Sequence, residues 1–264
     1  MATINAARTY KLNNLGAIAP GYQADIIVMN DLNTVDIESV YFKGNIVDVK
    51  NKLKEKEPSS KLTNSIHIKP FGKEDIQYRI KRSELPVIKV VGGQILTKKV
   101  MCRLPESDGI FKPNSEYNKV LIVERHKETG NLGVGAVLGF GISGGAIAST
   151  VSHDSHNMIV VGDNDDDIIM AAKELISTKG GYTLVSNGKV VKTLPLPVMG
   201  LMTQEPFEKV TLVAHEIKDI AYKMGVSRDI DPFTTLSFLA LPVIPEIRIT
   251  TRGLFDVSEN KYLV

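Results

Sequence analysis

Residues 145–176 read GAIASTVSHDSHNMIVVGDNDDDIIMAAKELI. Two short apolar runs, Gly145–Val151 and Met158–Val161, flank a polar hexapeptide, the pattern of two strands joined by a loop at one end of a sheet. Asp163–Asp167 then places carboxylates where the positive end of a helix dipole favours them, and Ile168–Ile176 carries the helix that follows. Working outward, Val120–Val123 reads as a further strand. Pro86–Val91 and Gln94–Arg103 flank Gly92-Gly93, and Tyr182–Val185 and Lys189–Lys192 flank Asn187-Gly188. Both pairs signal hairpins, because these residues tolerate the positive φ of type I′ turns. A second helix begins near Glu205, with Val210, Val213, Ile217, Ile220 and Met224 in one apolar stripe, His215 opposite it facing solvent, and Gly225 able to stop it. Strands and helices mix without strict βα alternation, so the expected fold class is α+β: a mixed sheet packed by about two helices, not a doubly wound parallel fold.

The N-terminal stretch is organised differently. Met1–Leu12 reads as a helix already under way, with no capping residue ahead of it, as in a chain cut from something longer. Gly16–Gly21 breaks that helix. Ala24–Met29, Val35–Phe42 and Ile46–Val49, with a turn at Lys43-Gly44-Asn45, then make a small antiparallel sheet. Asn51–Lys61 is charged and aperiodic. The expected domains are therefore residues 1–50, a linker at 51–61, and an α+β domain at 62–264.

Composition excludes several classes. With 43% hydrophobic and 23% charged residues among 264, the chain is not a disordered protein. Its 32 basic against 30 acidic residues leave +2 and no face-length Lys/Arg run, so no nucleic-acid or anionic-membrane partner is expected. No apolar window of spanning length and no signal-peptide pattern occur, and no internal repeat is present. The single cysteine, Cys102, cannot form an internal disulfide, a metal cluster or a CxxC pair, which fits a reducing, cytoplasmic location. It is expected to be a buried structural thiol.

Chemistry concentrates in Ser152-His153-Asp154-Ser155-His156-Asn157. Imidazole beside carboxylate suits a general base or a metal ligand, since the acid fixes the tautomer and raises ring basicity. In an extended segment His153 and His156 point to opposite sides, which weakens the metal reading; the other reading is a polar turn whose side chains cap local backbone. The glycines of Gly130–Gly145 match no phosphate-binding motif, and tight packing turns are their expected use. Glu124-Arg125-His126 ends an apolar strand, which is where active sites on sheets tend to place side chains, but a solvated strand end is the commoner outcome and the expected one.

Two sets of residues resemble a known family. Ala2-Thr3-Ile4-Asn5-Ala6-Ala7 and Gly16-Ala17-Ile18-Ala19-Pro20-Gly21-Tyr22-Gln23-Ala24-Asp25-Ile26 resemble the end of the catalytic barrel and the return into the small β-domain of the amidohydrolase superfamily. Val123–His126, Gly139–Gly141, Gly145–Ser149, Ser152–Asn157 and Leu239-Ala240-Leu241-Pro242-Val243-Ile244-Pro245-Glu246 resemble the C-terminal domain of adenine deaminases. The resemblance implies an enzyme of about twice this length that hydrolyses adenine to hypoxanthine and ammonia, with manganese or iron held in a TIM-like barrel. The His-x-His pair that opens such a barrel is absent. No metal ligand therefore carries over, no cofactor is expected in this chain alone, and a metal-binding barrel is implied in cis or in trans. His153, Asp154 and His156 are the candidates for groups facing the barrel's active site; a substrate-binding set is not assigned. A homo-oligomer is expected. The alternative is a non-catalytic module that binds a purine or a partner subunit.

Overall fold

The computed structural model describes residues 2–48 and 57–263. Of the expected linker, residues 51–56 lie outside the described residues, as do Met1, Val49 and Lys50. The chain divides into two compact units, residues 1–57 and 58–264.

In the first unit α1 (Ile4–Thr9) is shorter than the apolar spacing suggests, and three antiparallel strands follow: β1 (Ile26–Asp31), β2 (Asp36–Phe42) and β3 (Asn45–Ile46). Lys43 and Gly44 both take positive φ, as the turn at 43–45 requires. Among the described residues of this unit only Ala7 is buried, while Ile18, Leu32, Phe42 and Ile46 are exposed.

The second unit contains, in order, α2 (Ser60–Thr63), β4 (Leu85–Val90), β5 (Thr97–Cys102), β6 (Glu106–Ser107), β7 (Ile110–Phe111), β8 (Tyr117–Val123), β9 (Leu132–Leu138), β10 (Gly145–Ser149), β11 (Met158–Gly162), α3 (Asp165–Ser177), β12 (Gly181–Ser186), β13 (Lys189–Pro195), α4 (Phe207–Lys223), α5 (Pro232–Phe238), β14 (Ile247–Thr250), β15 (Gly253–Asp256) and β16 (Lys261–Tyr262). Eight strands form one sheet in the order β13-β12-β10-β11-β8-β9-β4-β5. It is a mixed sheet, antiparallel throughout except for the parallel pair β4–β9. The α+β class is thus the observed one.

The central strands are apolar without alternation because both faces are covered. Val120, Ile122, Ile147, Ile159 and Val161 pack with Ile217 and Ala221 of α4, Leu236 of α5, and Ile249 and Leu254 of the β14–β15 hairpin. Leu121, Val123, Ala146, Ala148, Met158 and Val160 point the other way, onto Ile168, Ala171, Ala172 and Leu175 of α3. Each such side chain contributes about 1.5–3 kcal/mol when fully buried. Asn164 caps α3 by accepting from the Asp167 amide at 2.8 Å. Asp163 accepts from the amides of Gly144 and Gly145, and Asp167 from that of Gly188, so two of these acids brace turns.

Several expectations are corrected. Asn187-Gly188 is a two-residue hairpin with positive φ at both positions, but the Gly92-Gly93 connection is longer. There Val90 pairs with Thr97, only Gly93 has positive φ, and its amide donates to the Asp229 carbonyl at 2.8 Å. Part of Gly130–Gly145 is not turn at all: Gly133 and Gly135 lie within β9, where a Cβ on Gly133 would come 1.8 Å from the Thr250 carbonyl oxygen. Glycine there admits the β14–β15 hairpin against the sheet. Cys102 is half-buried rather than buried, because β5 is an edge strand.

In α4 the apolar stripe faces the core, with Ile217 fully buried, Ile220 half-buried and His215 exposed. Ile217→Ala is expected to destabilise by about 2–5 kcal/mol and Ile220→Ala by less. His215→Ala should stay within about 0.5 kcal/mol. Urea denaturation of the three variants checks the order, and an equal loss for His215→Ala would refute this helix packing.

Candidate functional site

The loop that joins β10 to β11 is held from four directions. Thr150 Oγ1 donates to the Gly200 carbonyl at 2.6 Å, and accepts from the Gly181 amide at 2.8 Å. The His153 amide donates to Ser237 Oγ at 3.2 Å, and the His156 amide donates to the Ser152 carbonyl at 2.6 Å. Ring nitrogen Nε2 of His126 lies 2.8 Å from the Ser155 carbonyl. The segment is therefore neither helical nor extended: it turns tightly, with His156 at φ 50°.

That turn brings the three candidate residues to one place with unlike surroundings. The rings of His153 and His156 are 6.0 Å apart, and His153 packs against Phe238 at 5.1 Å. His153 Nδ1 lies 4.0 Å from the Asp154 carboxylate, whose side chain is 85% exposed against 45% for His153. His156 faces inward, its Nδ1 buried without a hydrogen-bond partner. Burial, and then the positive charge of Arg125, hold the His156 imidazole below the usual histidine range. Beside the loop lies a cleft of about 340 Å³, lined by Asp154, Ser155 and Asn157 on one side and by Leu241, Pro242 and Val243 on the other. Two segments separated by β11, α3, β12, β13, α4 and α5 thus share one cleft.

Arg125 is where the sequence reading is overturned most plainly. Expected at a solvated strand end, it is 1% exposed. Nη1 donates to the Ser65 carbonyl at 3.1 Å, Nη2 to the Met199 carbonyl at 3.0 Å, and Nε to the His156 carbonyl. Burial lowers its pKa to about 10, so it remains charged at neutral pH. Its neighbour Glu124 accepts from the amides of His126, Lys127 and Thr129, which closes the turn after β8. Arg248, also 1% exposed, does for the Leu239–Glu246 segment what Arg125 does for the histidine loop. It donates to the carbonyls of Ile244 at 2.7 Å, Ile95 at 2.7 Å and Pro245 at 3.0 Å. No spacing in the sequence marks either arginine as interior.

The donor set does not fit a metal. His153 and His156 are tilted by 55° to one another, His156 Nδ1 is enclosed, and Asp154 points to solvent. Among the described residues no group of three or more His, Cys, Asp or Glu side chains could hold an ion. Nor is any helix among them long and apolar enough to cross a membrane.

Residues 1–47 match the family model described as Amidohydrolase family. Residues 94–261, more than half of the chain, match the model described as Adenine deaminase C-terminal domain, and the chain belongs to that family. It is 47% identical over 263 residues to an adenine deaminase of Desulfitobacterium hafniense, covering 100% of this chain and 46% of that protein. It is 45% identical over 268 residues to one of Dehalococcoides mccartyi, covering 100% of this chain and 47% of the relative. An adenine deaminase of Clostridium acetobutylicum is 44% identical over 270 residues, with the same coverage of 100% and 47%. The chain spans about half the length of the curated relatives it matches.

The His156 environment sets a pH dependence. Because the folded state disfavours protonation relative to the ordinary value of 6.5, the unfolded chain binds the proton first as pH falls. The stabilising contribution of neutral His156 is present above 6.5 and is lost as pH drops from there through the lowered folded value. His156→Gln should flatten the fall in stability below pH 6.5, measured by denaturation midpoints from pH 8 to 5; an unchanged slope would refute the assigned environment.

Proposed function

We propose that this chain is the C-terminal part of an adenine deaminase, catalysing adenine + water → hypoxanthine + ammonia only together with a metal-binding barrel supplied in cis or in trans. The observation that carries this reading is the match of the whole chain to about half of each adenine deaminase compared with it. The manganese or iron of such an enzyme would activate water at ligands that this chain does not carry. What its own residues contribute is proton handling and positioning. His153, half-exposed on the Phe238 ring with the Asp154 carboxylate 4.0 Å from Nδ1, is placed to exchange a proton with a group delivered to the loop. The His156 amide closes the loop behind it onto the Ser152 carbonyl. The domains on this reading are the expected ones: a barrel end with a small β-domain segment at 1–50, a linker at 51–61 and the family's α+β domain at 62–264. A cytoplasmic homo-oligomer that binds neither nucleic acid nor membrane completes the proposal.

Ammonia release from adenine should be undetectable for the isolated chain and restored when a cognate barrel with manganese is supplied. In the reconstituted enzyme His153→Ala and Asp154→Ala should lower turnover by about 10²–10⁴-fold, the usual worth of a positioned proton donor or acceptor, with His156→Ala also impaired. Turnover by the isolated chain would overturn the reading. Wild-type rates in all three variants would return the loop to a structural turn and favour the non-catalytic binding module.

A further inference from the structure

The Arg125 guanidinium is a buried positive charge whose three acceptors are neutral carbonyls, and no ion pair among the described residues includes it. Buried arginine normally faces a carboxylate, so a carbonyl-only shell needs a reason. Arg248 has the same kind of shell, but its partners Ile244, Ile95 and Pro245 carry no polar side chain. Around Arg125 they collect: Ser65 Oγ, Ser152 Oγ and His156 Nδ1 are buried without a hydrogen-bond partner. Two of these residues give their carbonyls to Arg125, and the third, Ser152, gives its carbonyl to the His156 amide.

We propose that Arg125 is the positioning residue of this loop: through the His156 carbonyl it sets the backbone that carries His153 and Asp154. Burial first, and then the Arg125 charge, holds the His156 imidazole below the usual histidine range. The proposal deepens the reading of the loop as a proton-handling segment and rests on it. Planarity is the reason for arginine here, since one fork reaches carbonyls from Ser65, His156 and Met199 at once, which a lysine ammonium on a single stem does not. The groups acting on the His156 ring are Arg125, His153, His126 and Asp154. Of these the lone anion, Asp154, points to solvent, and after burial the guanidinium is the charge that acts most on the ring. A division of labour follows. His153, beside the carboxylate, is the half-exposed imidazole, while His156 is enclosed behind it.

NMR titration of the five histidines in the 264-residue chain tests this without any assay of deamination, so failure of the deaminase reading and failure of this one are distinguishable. His156 should titrate below the ordinary histidine value of 6.5. Arg125→Gln, which removes the charge, should move His156 upward. Arg125→Lys, which keeps the charge, should leave His156 low. In both variants the amide signals of Ser152–Asn157 should shift, because the three-carbonyl clamp is broken. A wild-type His156 that titrates at or above 6.5 would overturn the proposal with no variant needed. So would an unmoved His156 in Arg125→Gln, or loop amides unmoved in both variants. If Arg125→Gln does not fold, Arg125→Lys decides, and loop amides left in place in it count against the proposal.

Discussion

Strands β8, β10 and β11 are buried on both faces along almost their whole length, and the need to cover both of them orders the second unit. α3 takes one face, and α4, α5 and the β14–β15 hairpin take the other. Side chains along these strands are committed to packing, so chemistry can only be presented where the strands end. The histidine loop sits at such an end, between β10 and β11, with the exit of β8 beside it. Rigidity comes with the position: a loop bounded by two fully buried strands has few ways to move.

Two arginines then do in the polar layer what the apolar strands do in the core. Neither Arg125 nor Arg248 meets a carboxylate; each gathers carbonyls from segments distant in sequence, 65 with 156 and 199 in one case, 95 with 244 and 245 in the other. A guanidinium can do this because its donors diverge in a plane and it stays charged even when burial lowers its pKa to about 10. The two loops so fixed are those that wall the cleft beside Asp154. Loop placement in this unit is thus set by buried positive charge seeking backbone oxygen.

This explains what was legible in the sequence and what was not. Two-faced strands announce themselves as unbroken apolar runs, α3 by its acids and α4 by its stripe, and those elements stand where the patterns put them. β9 escaped because Gly133-Val134-Gly135-Ala136 has weak strand propensity, and its glycines answer to the Thr250 carbonyl across the interface. α5 and the C-terminal hairpin escaped because their burial comes from tertiary contacts, not periodicity. Within the site, His153, Asp154 and His156 were conspicuous by residue type. Arg125 was not, since a strand-end arginine is ordinarily solvated and only the convergence of Ser65, His156 and Met199 brings it inside.

Residue type alone also hid how far the two histidines differ. His153 is half-exposed, tilted 43° against the Phe238 ring and 4.0 Å from the Asp154 carboxylate. His156 is enclosed instead: its Nδ1 is buried, and burial, followed by the positive charge of Arg125, disfavours its imidazolium. Two imidazoles with rings 6.0 Å apart thus stand in unequal surroundings. A loop built this way leaves one imidazole open to solvent and encloses the other. That asymmetry, rather than a converging ligand set, is the chemical character of the site.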